Sequence, residues 1–211
     1  MAIDDLLDEH EQSEKVRNWL QTNGVGLIGG VVLGLALIGG WQWWQKQQER
    51  ARIETGEHYQ AAIDNIQAKK LKQAQPQVAA LPDGTYASLA ALDLAKAQLD
   101  AGQRDAAIAT LRAVKPSEPA LSAIVTQRLA RVLIDAGNAG EALKLLPSQS
   151  TDAGTLQVLG DAHFALGHRD DARAAYAQAL TRLDVGAPQR RLVELKLSEV
   201  GGTPAKPEAE T

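Results

Sequence analysis

The sequence contains no cysteine, one methionine and one phenylalanine, and aromatic residues make up only 4% of its 211 residues. Without cysteine the chain can form no disulfide and offers no thiolate metal ligand or thiol nucleophile. It also lacks the G-x-S-x-G, G-x-x-x-x-G-K-[ST] and H-E-x-x-H patterns of common catalytic and nucleotide-binding sites. These absences predict a protein that is not an enzyme and that holds no cofactor.

Most of the chain also lacks a net charge of either sign. After Trp44 the acidic and basic residues are equal in number, so the net charge of −4 lies in the N-terminal segment. A neutral domain without basic clusters lacks the electrostatic field that attracts nucleic acid. We therefore expect no nucleic-acid partner.

Charged residues are absent between Arg17 and Lys46, and residues 24–38 are apolar throughout. At about 1.5 Å per residue, a helix over residues 24–44 spans roughly 30 Å, the thickness of the hydrocarbon core of a lipid bilayer. A buried helix of this length would need a polar face, and a signal peptide would have a basic leader and a cleavage site. The stretch therefore predicts an uncleaved membrane anchor.

Two side-chain patterns within this stretch suit a membrane helix. Trp41, Trp43 and Trp44 follow the apolar run, where indole rings favour the membrane interface; the alternative is that they pack against the chain's own helical domain. Gly26, Gly30 and Gly34 recur every four residues and form a stripe that would allow a partner's membrane helix to approach closely. The alternative for the glycines is a stripe that faces lipid passively.

The remainder of the chain has a helical pattern, because no run of residues alternates between apolar and polar with a period of two. Breaks are expected at "QPQ", "LPDG", "KPSEP", "LPSQS" and "GAP". The predicted organisation is an acidic tail over 1–22, a transmembrane helix over 23–44, a helical domain over 45–200 and a disordered tail over 201–211.

Three segments of this domain align on Gly102, Gly137 and Gly167, at intervals of 35 and 30 residues. In each, a small residue precedes the glycine by seven positions, an alanine follows it by five, and large apolar residues stand three before and nine after. These residues are Ala95, Ala130 and Gly160; Ala107, Ala142 and Ala172; Leu99, Ile134 and Phe164; and Leu111, Leu146 and Tyr176.

Small residues allow two antiparallel helices to approach closely, and the larger ones are expected to fill the seam between units. The intervals bracket the 34-residue tetratricopeptide unit. The sequence therefore predicts an all-α protein, in which one N-terminal transmembrane helix precedes a tetratricopeptide-like α-solenoid of about three to four helical hairpins.

Several segments carry a resemblance to a known family: "VRNWLQTNG", "GGWQWW", "HYQAAI", "TYASLAALDLAKAQLDAG" and "QRLARVLID". With these, nearly the whole chain resembles the ancillary SecYEG translocon subunit family, although its anchor is richer in glycine and its tail is longer. The resemblance implies an inner-membrane protein with a cytoplasmic N-terminus and a periplasmic domain. It also implies that the protein helps secretory client proteins pass from the SecYEG translocon to periplasmic chaperones, beside a membrane-anchored prolyl-isomerase-like chaperone.

From the residues alone, a scaffold of another envelope complex, for cytochrome maturation or cell division, stays open. The counts of Lys and Arg that flank the apolar stretch do not decide the orientation. Tetratricopeptide geometry would direct polar and apolar side chains of the first helix of each hairpin to an inner face suited to extended chains; a plain solvated face is the alternative. These residues are Leu92, Lys96, Asp100, Ile124, Gln127, Arg131, Asp135, Gln157, Asp161 and Phe164.

The only close pair of histidines is His163 and His168. Five residues correspond to about 140° around a helix, and Gly167 is expected to break the helix between them. The sequence therefore predicts that they share no face and that the chain has no metal site.

Overall fold

The computed structural model describes residues 2–204, with side chains from residue 13 onward, and this part of the chain contains helices and no strands. The all-α prediction is confirmed. The helices are α1 (Ala2–Gln67), α2 (Leu71–Ala79), α3 (Thr85–Asp100), α4 (Arg104–Ala113), α5 (Pro119–Asp135), α6 (Ala139–Leu145), α7 (Ala153–Ala165), α8 (Arg169–Thr181) and α9 (Arg190–Glu199).

The chain divides into two compact units, Met1–Glu54 and Thr55–Thr211. The first unit consists of most of α1, so the segment predicted as an acidic tail is helical from Ala2 onward. The exact boundaries at 22, 44 and 200 remain predictions. Of the tail predicted over 201–211, residues 205–211 lie outside the described part, and residues 201–204 contain no helix.

Within the second unit, consecutive helices pair as three hairpins: α3 with α4, α5 with α6, and α7 with α8. The first helix of the middle hairpin, α5, also contacts the first helices of the hairpins on either side, α3 and α7. Helix α2 packs against α3, and α9 packs against α8. This arrangement confirms the predicted tetratricopeptide-like solenoid, with three hairpins between two flanking helices.

The small residues of the repeat lie where the two helices of each hairpin meet. All five alanines at these positions are at most 2% exposed, and Gly160 is buried as well. The large residues nine positions after each glycine, Leu111, Leu146 and Tyr176, are at most 6% exposed. The prediction that small residues permit close packing of the helices is confirmed.

The large residues three positions before each glycine behave differently from the prediction. Leu99 is 38% exposed and Phe164 is 37% exposed, so these two do not fill a seam. In α3 the buried stripe continues from Leu94 to Gln98, which is 1% exposed. Because the next residue is rotated by about 100° around the helix, Leu99 points away from that stripe.

Each hairpin turn is made by a glycine in the left-handed conformation, with φ of 74° at Gly102, 81° at Gly137 and 78° at Gly167. Each glycine N–H donates to the carbonyl three residues earlier at 2.9 Å, and the next N–H donates to the carbonyl five residues earlier at 2.8 or 2.9 Å. This pair of bonds is the Schellman motif, which ends a helix and favours glycine because a side chain would be strained there. The three glycines therefore turn the chain between the two helices of each hairpin.

One of the five predicted breaks is wrong. Pro76 of "QPQ" lies inside α2, where its exposed ring stands away from the buried Ala74 and Val78. The chain turns earlier, at residues 68–70, where Lys69 adopts a φ of 57°. Proline removes one backbone donor, but burial of the apolar stripe keeps this short helix in place. The other four breaks fall between helices as predicted.

The predicted break at "GAP" is followed by helix α9, which packs against the last hairpin. It begins after the "GAP" turn and buries Val193 and Leu197, and Val200 is buried directly after its end. Arg190 donates to the carbonyl of Leu180, in the last turn of α8, at 3.3 Å and to that of Leu183, just after the helix, at 2.9 Å. These bonds and the apolar stripe hold α9 against the last hairpin.

Candidate protein-binding surface

The apolar part of α1 has the composition of a membrane-spanning helix. Within Ser13–Gln67 the helix is long and apolar enough to cross a membrane, and none of its most apolar window is buried. Trp41, Trp43 and Trp44 are 59%, 70% and 48% exposed, and the rings of Trp41 and Trp44 are 5.3 Å apart. An exposed apolar helix is stable in lipid and costly in water, because so much apolar surface remains uncovered.

The glycine stripe lies on this same helix. A Cβ atom built on Gly26, Gly30 or Gly34 would meet nothing within 4 Å. Their backbone is therefore accessible to another helix or to lipid. Whether a partner helix docks on them stays a prediction.

On α3, two of the three predicted inner-face residues, Lys96 and Asp100, border a cleft of about 820 Å³ beside the end of α1 and the start of α2. Lys96 and Asp100 form an exposed i,i+4 ion pair with an Nζ to Oδ2 distance of 3.0 Å. Lys69 and Lys70 line the same cleft. Leu92 is half-buried and packs against the core, so it contributes little open surface.

On α5, the predicted residues divide between solvent and the neighbouring hairpin. Ile124 is 43% exposed and Asp135 is also exposed. Gln127 donates to Asp152 Oδ2 at 2.8 Å and to Thr155 Oγ1 at 3.1 Å, so it ties α5 to the start of α7. Its amide therefore serves mainly the contact between hairpins.

Arg131 of α5 is half-buried and faces the carboxylates of the next hairpin. Burial, followed by the nearby Arg128, lowers the pKa of its guanidinium, while the charges of Asp161 and Asp152 oppose that shift. The group stays charged because an arginine pKa begins so high. Arg131 thus belongs to the interface between the second and third hairpins.

On α7, the structure differs most from a simple open face. Gln157 is only 8% exposed, so it offers almost no surface for a partner. Asp161 accepts from the Tyr176 hydroxyl at 2.7 Å and from Lys196 Nζ at 2.7 and 2.8 Å. Its carboxylate joins α7, α8 and α9. Phe164 is 37% exposed and remains accessible.

The ten residues predicted for the inner face differ in exposure, and their role as a binding face stays a prediction. Five of the ten are exposed, and we refer to them as the open inner residues: Lys96, Asp100, Ile124, Asp135 and Phe164. Sequence reasoning missed the role of Lys196, which binds Asp161. The buried stripe of Val193, Leu197 and Val200 was the available signal, since its i, i+4, i+7 spacing predicts a helix with one face covered.

The structure also corrects the expectation for the two histidines. Gly167 does end α7, but the turn brings the rings of His163 and His168 together, with their centroids 5.9 Å apart. The 140° argument holds only for a continuous helix. A Schellman turn instead places the third residue before the cap beside the second residue after it.

The chain is similar to known proteins that are described by the same type of repeat or named for the SecYEG translocon. Residues 17–202 match the family described as tetratricopeptide repeat-like domain. A protein of Escherichia coli (strain K12), called "Ancillary SecYEG translocon subunit", is 28% identical over 200 residues, which cover 92% of this chain and 97% of that protein. Proteins of the same name from Haemophilus influenzae and Aggregatibacter actinomycetemcomitans are 27% and 25% identical and cover 82% and 92% of the chain, respectively.

The alignments cover 89% of the Haemophilus influenzae protein and 98% of the Aggregatibacter actinomycetemcomitans protein. These relatives confirm the resemblance noted from the sequence. No solved structure matches the chain. The family match takes in most of α1, including its whole apolar stretch, and every hairpin. Because it covers most of the chain, and because the hairpins pack as the repeat requires, the chain belongs to the tetratricopeptide repeat-like domain family.

Proposed function

We propose that this chain is a membrane-anchored protein-binding module that associates with the SecYEG translocon and assists the passage of secreted proteins to periplasmic chaperones. The observation that carries the proposal is the extent of the similarity. Relatives named for the translocon align over 82–92% of the chain. Because the alignment covers both the apolar helix and the helical domain, we infer that this chain performs the same task as those relatives.

The proposed location is the inner membrane, with the N-terminus in the cytoplasm and the helical domain in the periplasm. Protease added to intact spheroplasts is expected to remove the domain, whereas carbonate washing should leave α1 in the membrane. Cytoplasmic marker proteins must survive as the control. Digestion of the domain only after lysis would reverse the proposed orientation.

The proposed binding surface is the set of open inner residues together with the 820 Å³ cleft that Lys96 and Asp100 border. Exposed apolar side chains such as Ile124 and Phe164 stand beside charged ones, which suits weak contacts with extended client chains of varied sequence. Candidate occupants are secretory clients and the membrane-anchored prolyl-isomerase-like chaperone.

Charge reversal at Arg131 is a poor test of this surface, because Arg131 is half-buried among Asp152 and Asp161. A photo-crosslinking residue at Ile124 is sharper, and the matched control is the same residue at Leu195, which is 61% exposed on α9. We expect a translocating client to crosslink from position 124 and not from position 195.

Purification of the full chain in mild detergent tests the partners. Recovery of SecY, SecE and SecG supports the proposal. Recovery of a cytochrome-maturation or cell-division complex in their place would favour a scaffold function and contradict it. Equal crosslinking of clients from positions 124 and 195 would leave the translocon association intact and remove the open inner residues as the binding surface.

A further inference from the structure

The turn of the third hairpin carries two histidines at positions where the other two turns have no histidine. In a Schellman motif, one backbone N–H donates to the carbonyl five residues earlier. The side chains of these two residues come together, and their contact is usually apolar. In the third hairpin these two residues are His168 and His163, joined by an N–H to carbonyl bond of 2.9 Å. The corresponding pairs are Gln103 with Gln98 and Asn138 with Leu133.

A carboxylate completes the group. Asp171 is the third residue of α8, a position from which a side chain reaches back toward the start of its helix. One ligand atom from each of His163, His168 and Asp171 lies within 4.8 Å of the other two. Asp171 Oδ2 is 3.8 Å from His163 Nδ1, which is too far for a hydrogen bond.

His163 Nδ1 is the atom that most needs a partner. It is buried, and within the part of the chain whose side chains are described it has no hydrogen-bond partner. Buried polar atoms in folded proteins are nearly always satisfied, by protein, water or an ion. An imidazole nitrogen with a free lone pair is also the commonest metal ligand in proteins.

Asp171 is free to serve as a ligand. Arg173, the basic residue two positions later, pairs with Asp170 at 3.0 Å and donates to the Val200 carbonyl. Among the described residues, no lysine or arginine nitrogen lies within 4.0 Å of an Asp171 carboxylate oxygen, and its side chain is 65% exposed. In the part of the chain that the structure describes, no lysine or arginine therefore competes for this carboxylate.

We propose that His163, His168 and Asp171 bind one divalent transition-metal ion of the imidazole-preferring class, with Zn²⁺ as its representative. Two imidazole nitrogens and one carboxylate oxygen are ligands that such ions accept, with water in the remaining position. Zn²⁺ holds tetrahedral donor atoms about 3.3 Å apart, given bonds of about 2.0–2.1 Å. The 3.8 Å pair needs to contract by only a few tenths of an ångström, and the exposed His168 side chain can rotate inward.

The proposed ion would bridge the last turn of α7 and the first turn of α8. It would satisfy His163 Nδ1 and fix the turn at Gly167 between its two helices. This inference is independent of the proposed translocon association, because it depends only on the geometry of one hairpin.

The test uses the full chain in mild detergent, stripped with a chelator and then titrated with Zn²⁺ by calorimetry. We expect one Zn²⁺ per chain, and at least about tenfold weaker binding in His168→Gln and in Asp171→Asn. Asp170→Asn, which makes the same change on a neighbouring carboxylate, and His58→Gln should bind as the parent does. Unchanged far-UV circular dichroism must show that each variant folds.

Two further measurements separate this site from adventitious binding. Zn²⁺ at a hundred times the dissociation constant of the parent should raise the Tm of the parent by roughly 5–10 °C and that of Asp171→Asn by at most about half as much. Electron paramagnetic resonance of bound Cu²⁺ should show two imidazole nitrogens in the parent and one in His168→Gln. Equal affinity in the parent, His168→Gln and Asp171→Asn, or loss of binding in His58→Gln alone, would overturn the proposal.

Discussion

Replacing Gly160 by alanine is expected to destabilise the third hairpin, although the same change stabilises most helices. A Cβ on Gly160 would lie 2.9 Å from Cζ of Tyr176 and closer still to its Cδ1 and Cε1. Real Cβ atoms do not approach an aromatic ring so closely, so the ring must shift. Tyr176 is 2% exposed, and its hydroxyl donates to Asp161, so it has little room to do so.

The size of the effect follows from three opposing contributions. Alanine gains up to about 1 kcal/mol over glycine in a helix interior. Overpacking a filled core costs about 1–3 kcal/mol. Weakening the hydrogen bond from Tyr176 to the Asp161 carboxylate adds a cost of about 1 kcal/mol, since such bonds contribute about 1.5–3 kcal/mol when intact. The net loss is about 2 kcal/mol, which corresponds to roughly 4–8 °C in Tm for a domain of this size.

The assay is thermal unfolding of the full chain in mild detergent, followed by far-UV circular dichroism. Gly140→Ala is the matched control, because Gly140 lies in α6 and a Cβ there meets nothing within 4 Å. Its Tm should be unchanged or slightly higher. The other two hairpins have alanine and leucine at the positions of Gly160 and Tyr176.

A double variant, Gly160→Ala with Tyr176→Leu, therefore tests the pairing itself. Tyr176→Leu alone should lose about 2–4 kcal/mol, because it leaves a cavity and removes a partner of Asp161. If the ring is what excludes the Cβ, adding Gly160→Ala to Tyr176→Leu should cost nothing further. The reasoning is refuted if Gly160→Ala raises the Tm as Gly140→Ala does, or if the two changes prove additive.

Further measurements address the same region. Burial and the hydrogen bond to Asp161 raise the pKa of Tyr176, so the stability that its hydroxyl provides is complete below about pH 10 and is lost as the pH rises further. Above that pH, the free energy of unfolding of the parent should fall by up to about 1.4 kcal/mol per pH unit more than that of Tyr176→Phe. An equal dependence on pH in the two proteins would contradict this. Lys196→Ala removes the half-buried partner of Asp161, costs about 1–3 kcal/mol and should make α9 the first site of limited proteolysis, unlike Arg191→Ala at an exposed position. Asp152→Ala removes the acceptor of the Thr155 N–H at the start of α7 and should lower stability by about 1 kcal/mol, whereas Asp184→Ala in a turn should not.

The hairpins were predictable because their determinants are local. A glycine that must adopt a positive φ, with small residues at fixed distances from it, specifies both the turn and the close approach of two helices. The apolar helix was predictable for a similar reason, because length and the absence of charge suffice. Pro76 was misread because one missing hydrogen bond is outweighed by a buried stripe that only tertiary packing reveals.

The candidate surface was predictable only in part. Helical periodicity can place Asp161 on the inner side of α7, but only the fold brings Lys196 from 35 residues away to bind it. The same applies to Gln127, whose partners are 25 and 28 residues distant. The closeness of His163 and His168 depends on the motif that ends α7, and a periodic projection takes no account of helix ends.

Helix α9 has a consequence for self-association. Helical repeats stack on one another through their apolar faces, so the last repeat of an array would present a surface that fits the first helix of another copy, and head-to-tail stacking of this kind builds open filaments. In this chain α9 occupies that position, with Val193 and Leu197 buried and with Arg173 donating to the Val200 carbonyl at its end. The outward residues of α9 include the polar Arg191, Ser198 and Glu199, and also Leu192 and Leu195, which are 48% and 61% exposed. The helix thus withholds the stacking face of the last hairpin from another copy of the chain, and Leu192 and Leu195 are the large apolar side chains that α9 itself leaves exposed.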